Sequence, residues 1–209
     1  MTVRTPDGMK TLVKDLSFYL RKRQSLLIMG ASGTGKSSVL RTIAGLWSSG
    51  SGSLERPALS DLMFLPQRPY MIQGSLRDQL LYPYPGRAVS DEEIHRIVKE
   101  VNLDDVLTRV DCELDRVVDW TNVLSLGEQQ RVAFARLFLH PPKFAFLDEA
   151  TSALDEDNQD RLYALLKKST VGYISVGHST TLIEHHERLL ILDRSGSWEI
   201  KDNQLTLSS

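Results

Sequence analysis

SLLIMGASGTGKSSVLRTIAGLW, Ser25 to Trp47, is the stretch that decides the fold. Ser25 to Met29 is the apolar run of a strand. Gly30 to Ser38 then fits G-x-x-x-x-G-K-S/T through Gly30, Gly35, Lys36 and Ser37, and VLRTIAGLW continues with apolar residues at helical spacing. Strand, glycine loop and helix in that order are the context in which this motif cradles phosphate. Each residue type has its reason. Glycines let the backbone turn tightly and approach an anion with no Cβ in the way. The N–H groups along Gly30, Ala31, Ser32, Gly33, Thr34, Gly35, Lys36, Ser37 and Ser38, with the positive end of the following helix, favour phosphate charge. Lys36 adds a point charge near the β- and γ-phosphates, and the Ser37 hydroxyl is a ligand for Mg2+. The plain alternative is a Gly/Ser turn, and the agreement of motif with context argues against it. The segment predicts binding of a nucleoside triphosphate.

The rest of the composition narrows the class. A length of 209 residues suits one large domain, or a domain carrying a subdomain. At 41% hydrophobic and 25% charged, the chain has the make-up of a water-exposed globular protein. A net charge of -2 leaves no basic excess for nucleic acid. No apolar stretch approaches the ~20 residues that span a bilayer, and MTVRTPDGMK lacks the apolar segment of a secretion signal. Cys112 is the single cysteine, so a disulfide framework is excluded and a reducing compartment expected.

Around the phosphate loop the pattern reads as an α/β core interrupted by helices. Thr11–Leu20 and SLLIMG are expected as two strands joined by a basic turn, with Ser48–Pro57 a flexible Gly/Ser stretch and DLMFLPQ a strand. From Ser75 to about His140 the chain reads as mainly helical. Ser90 with Glu93, and Ser125 with Glu128, carry the S-x-x-E start of a capped helix. The second of these helices should stop near Pro141-Pro142. KFAFLDE is an unbroken apolar run suited to a buried parallel strand. DEDNQDRLYALLKK follows as a helix, GYISVGH as a strand, Thr181–His186 as a short helix, and RLLILD and SWEIKDNQLTL as strands. Glu184-His185-His186 lacks the i, i+4 spacing of a zinc motif and reads as a solvated helix end.

Asp148 closes the apolar strand, in the place where P-loop NTPases hold Mg2+. Glu149, next to it, is placed to orient or deprotonate an attacking water. The most discriminating element is LSLGEQQR, Leu124 to Arg131. With it the chain resembles the nucleotide-binding domain of ATP-binding-cassette (ABC) transporters, over nearly its whole length. The order is phosphate loop, Gln67 in LPQRPY, the signature LSLGE, the acidic strand FAFLDE, SALD with Asp155, and His178 in VGH. The segments GKSSVLRTIAGLW, DWTNVLSLGEQQRVAFARLF and LDEATSALD resemble the peroxisomal (D) subfamily and related bacterial transporters.

The resemblance implies residues 1–209 as a single nucleotide-binding domain. It would have a RecA-like P-loop NTPase core with a mixed sheet, an antiparallel β subdomain, and a helical subdomain at about 75–140. It implies an ATPase using ATP and Mg2+ that powers a transporter as a head-to-tail dimer. In that dimer Ser125, Leu126, Gly127 and Glu128 of one copy would meet the γ-phosphate held by the other, with the D-loop Asp155 across the interface. Gln67 would touch Mg2+ or the attacking water, and His178 would contact the γ-phosphate and steady Glu149; the metal set would be Ser37, Gln67 and Asp148. The partner implied is a transmembrane domain, expected upstream in the same polypeptide and putting this domain at the cytoplasmic face of a membrane.

Two departures stand out. Leu126 replaces the glycine of the commonest signature, and Glu128 a glutamine. The region Val3 to Pro6, where family members often place an adenine-stacking aromatic, has none, which leaves adenine to apolar contacts and Arg4. A second class of function is a soluble ABC ATPase acting on nucleic acid or ribosomes. The compact segment between phosphate loop and signature, the single cassette and the near-neutral charge all weigh against it. A cassette that binds without hydrolysing is opposed by the presence of both Glu149 and His178.

Overall fold

Parallel pairing of three buried apolar runs sets the architecture. The computed structural model describes residues 1–84 and 86–203. In chain order come β1 (Thr2–Arg4), β2 (Thr11–Val13), β3 (Ser25–Gly30), α1 (Lys36–Ala44), β4 (Gly50–Ser51), β5 (Leu62–Leu65), β6 (Gly74–Ser75), α2 (Leu76–Leu81), α3 (Asp91–Glu100) and α4 (Asp104–Thr108). Then follow β7 (Val117–Val118), α5 (Trp120–Val123), α6 (Leu126–Leu139), β8 (Phe144–Asp148), α7 (Glu156–Lys168), β9 (Gly172–Val176), β10 (Arg188–Leu192) and β11 (Trp198–Asp202). The chain divides into two units. One comprises Met1–Phe64, Pro142–Glu149 and the chain from Lys167 on; the other comprises Leu65–Pro141 and Ala150–Leu166.

In the first unit six strands form one sheet in the order β11-β10-β3-β9-β8-β5. β10, β3, β9 and β8 run parallel, while β11 turns back antiparallel on β10. Ile28 and Asp148 both pair with Val176, so Gly30, Asp148 and Gly177 reach the same carboxyl edge of the sheet. That edge is where open α/β sheets bind ligands. Val39, Leu40, Ile43 and Ala44 of α1 cluster with Leu26, Ile28, Ile174, Val176, Leu190 and Leu192. Each large aliphatic side chain among them, fully buried, stabilises by ~1.5–3 kcal/mol. β2-β1-β4 make a separate antiparallel sheet.

Two expected elements differ. The strand anticipated over Thr11–Leu20 ends at Val13. Asp15 turns left-handed at φ 50, and Leu16 swings into the core with its N–H donated to the Met1 carbonyl at 2.8 Å. In the Gly/Ser stretch, Gly50 and Ser51 pair with β1 and so are strand, not free coil. The anticipated last strand holds for Trp198–Asp202; Gln204 to Leu207 lie outside the described residues.

The second unit is mostly helical. Both Ser75 and Ser125 close reciprocal capping boxes, with Asp78 and Glu128. Ser90 caps α3 through the Glu93 N–H alone, because the Glu93 carboxylate is taken by Arg96. α6 stops at His140, directly before Pro141-Pro142. Its apolar side packs Phe134 edge-on to Tyr163 of α7, with ring centroids 6.4 Å apart. Trp120 is buried with its indole N–H satisfied by the Gly74 carbonyl at 2.8 Å.

Candidate active site

Between β3 and α1 the chain wraps into a tight nest. Gly30 has φ 145, and a Cβ there would lie 2.4 Å from the Leu192 carbonyl oxygen, so only glycine fits. Gly35, left-handed at φ 92, sits at the N-cap of α1, and no side chain occupies the cap. The helix start is thereby left open to an anion. The Lys36 side chain folds back over the loop, and Nζ donates to the Gly30 and Ala31 carbonyls at 2.9 and 3.0 Å. Burial pulls the Lys36 ammonium below its ordinary pKa, and the Glu149 charge opposes that shift.

At the end of β8, Asp148 is buried and holds two partners. Oδ1 accepts from the Ser37 hydroxyl at 2.7 Å, and Oδ2 accepts from Arg41 Nη2 at 2.8 Å. The Ser37 pairing brings together residues 111 positions apart. A hydroxyl and a carboxylate are oxygen donors that suit a small hard cation. Among the described residues no three His, Cys, Asp or Glu side chains gather as a metal cage. Mg2+ sites completed by substrate phosphates need no such cage, and this donor set fits that kind.

Glu149 follows with a left-handed backbone at φ 52, fixed by its N–H donating to the Val176 carbonyl at 3.1 Å. That turn throws its carboxylate toward the end of β9, where His178 Nε2 lies 2.9 Å from Oε1. Phosphate loop, Asp148, Glu149 and His178 thus share one unit and one sheet edge.

The remaining anticipated residues belong to the second unit. Ser125 is the N-cap of α6, Leu126 opens that helix, and Glu128 closes the box. Leu126 has no left-handed backbone, so its conformation does not call for the glycine that is commoner there. Gly127 is a tight spot: a Cβ would sit 2.9 Å from the Ala153 carbonyl oxygen. Asp155 accepts the Asn158 N–H at 2.8 Å, as a cap of α7. Gln67 is exposed, and its carbonyl is held by Gln130 at 2.8 Å.

Gln130 was not singled out by its sequence position, yet it is fully buried. Its amide also donates to Ser152 Oγ at 3.2 Å and accepts the Ala153 N–H at 3.0 Å. One side chain therefore ties the Gln67 loop, the signature helix and the SALD turn. Its only sequence signal is a polar residue on the apolar face of α6.

The histidine cluster differs from expectation. His186 is buried, not solvated, and it meets the Leu182 carbonyl at 2.7 Å and Ser175 Oγ at 2.8 Å. Burial lowers its pKa to about 3, so it is a neutral core residue.

Comparison with known proteins agrees with this geometry. The family model described as ABC transporter matches residues 13–152. An uncharacterized ABC transporter ATP-binding protein of Synechocystis sp. is 50% identical over 96% of this chain. ATP-binding cassette sub-family D member 3 of Mus musculus is 42% identical over 94% of it, and the human lysosomal cobalamin transporter ABCD4 is 42% identical over 96%. This chain spans 30% of the length of the first two and 34% of the third. A bacterial Atm1-family ABC exporter solved with ATP bound superposes with a TM-score of 0.81 at 25% identity, covering 99% of this chain and 38% of that one. No helix among the described residues is long and apolar enough to cross a membrane. The chain belongs to the ABC transporter family, as an ATPase domain of it.

Proposed function

We propose that this chain is the engine of an ABC membrane transporter: a single nucleotide-binding domain, its helical subdomain at about 75–140, working as a head-to-tail pair around two ATP molecules. The observation that carries this reading is the meeting of Lys36, Ser37, Asp148, Glu149 and His178 at one sheet edge. The backbone N–H groups from Gly30 to Ser38 bind the β- and γ-phosphates, with Lys36 exchanging its two carbonyl partners for phosphate oxygens. Ser37 and Asp148, and Gln67 as the family resemblance implies, would hold Mg2+, and that ion would supply neutralising charge for the transferring phosphate. Glu149 takes the proton of the attacking water, and His178 holds the Glu149 carboxylate in line. From the second copy, Ser125, Leu126, Gly127 and Glu128 present a helix N-terminus to the γ-phosphate, and Asp155 lies across the interface.

A transmembrane domain is the mechanical partner, which places this unit at the cytoplasmic face of a membrane. The similarities above are to transporters and lend nothing to an ATPase acting on nucleic acid or ribosomes.

The direct test is phosphate release from Mg-ATP by the purified chain, beside Lys36→Ala. Turnover by the parent that disappears with the triphosphate affinity of the variant is the expected result. Unchanged nucleotide binding in Lys36→Ala would remove the loop from its role.

A further inference from the structure

The first turn of α6 carries a negative charge where the proposed reading brings a triphosphate. Ser125 donates its N–H and its hydroxyl to Glu128 Oε2, at 2.8 and 2.9 Å. The Glu128 N–H donates back to Ser125 Oγ at 3.3 Å. An acid at this position suits the helix dipole, but it opposes an incoming anion. It also occupies the Ser125 proton, which a phosphate oxygen would need. On the opposite carboxylate oxygen, Oε1, sits Arg109 Nη2. Arg109 follows α4 and is itself fixed, with Nη1 donating to the Val123 carbonyl at 3.2 Å and Nε to the Asp105 carbonyl at 3.3 Å. One guanidinium thus joins the end of α4, the segment leading into the signature, and the signature acid.

We propose that Arg109 is a positioning residue for ATP-driven pairing: it cancels the charge of Glu128 and holds the first turn of α6, so that an acidic signature accepts the triphosphate of a second copy. The inference rests on the head-to-tail reading above. Burial by itself pushes the Glu128 carboxyl up. The Ser125 N–H and hydroxyl, then Arg109, outweigh burial and hold it below its ordinary value, so it is ionised at neutral pH. A glutamine at this position would need no such counter-charge. Its amide could donate to Ser125 Oγ and leave the hydroxyl proton for phosphate. Arg109 and Glu128 should therefore act as a coupled pair.

The test uses the whole chain in a Glu149→Gln background, reading the Mg-ATP concentration that half-dimerises it by sedimentation. A fluorescent ATP analogue reports nucleotide binding by the monomer. Arg109→Ala should raise the ATP requirement roughly tenfold, about 1.4 kcal/mol, with monomer binding unchanged. Glu128→Gln should pair at least as readily as the parent, and Arg109→Ala in that variant should cost no more than about twofold, since the charge it offsets is gone. Arg109→Lys, which keeps the charge and serves should the alanine variant misfold, should stay within about threefold of the parent. Equal losses from Arg109→Ala in the parent and in the Glu128→Gln variant would make Arg109 a scaffold only and overturn the proposal. So would an Arg109→Ala variant indistinguishable from the parent. A parent that stays monomeric with saturating Mg-ATP removes the head-to-tail reading itself, and this inference with it.

Discussion

His178 Nε2 stands 2.9 Å from Glu149 Oε1, and the two residues leave the ends of adjacent parallel strands to meet. The register of β8 on β9, Asp148 opposite Val176, makes the meeting possible: each side chain lies one or two residues past the last paired position. The imidazole donates to that carboxylate oxygen. Which nitrogen carries the proton is assigned by this contact.

Replacing Glu149 by glutamine keeps the size and the His178 neighbour but removes the carboxylate proposed as the base. Phosphate release should fall by roughly 10²–10⁴-fold, while equilibrium ATP binding holds. Release at the parental rate, measured with a coupled phosphate assay, would take Glu149 out of the base role.

His178→Ala removes the contact to Glu149 Oε1 and leaves the proposed base in place. A turnover loss of about 10–100-fold is expected, the worth of one hydrogen bond to a charged group. The KM for ATP should move far less than kcat. A change confined to KM would show that His178 only helps hold nucleotide.

Gln130→Ala deletes the fully buried amide that joins Gln67, Ser152 and Ala153. Unfolding in urea should shift by about 1–3 kcal/mol. Turnover should fall further than the folded fraction does, because two loops lose their common tie. Stability loss with turnover per folded molecule intact would reduce Gln130 to a packing residue.

His186 predicts an acid-sensitive fold. Its folded pKa of about 3 lies below the ordinary 6.5, so the unfolded chain binds the extra proton between those values. Stability from this group is complete above pH 6.5 and drains away as pH falls toward 3. Between about pH 7 and pH 5 the loss is about 2 kcal/mol. His186→Gln should flatten that slope in urea titrations at the two pH values; an unchanged slope would assign it to other groups.

What the amino-acid order revealed was mostly local. The phosphate loop, the capped start of α6 and its halt at Pro141-Pro142 are each written in consecutive residues, and each formed as read. Features that need a distant partner were hidden. Arg41 finds its partner in Asp148, 107 positions further along the chain. Asp15 broke an apparently good strand because Leu16 gains burial by leaving the sheet. His186 depended on Ser175 across the adjoining strand. Arg109 carried no motif, and only the folding of α4 toward the signature turn gave it meaning.

Glu149 keeps its left-handed backbone at φ 52, a conformation that costs a non-glycine residue about 1–2 kcal/mol. Position 149 is thus where selection for robustness and selection for turnover part company. A screen for heat resistance would favour glycine or asparagine there, and, on the proposed role of Glu149 as base, each such gain would cost turnover. Thermostable descendants of this chain should accumulate their improvements elsewhere and leave this one uncomfortable residue untouched.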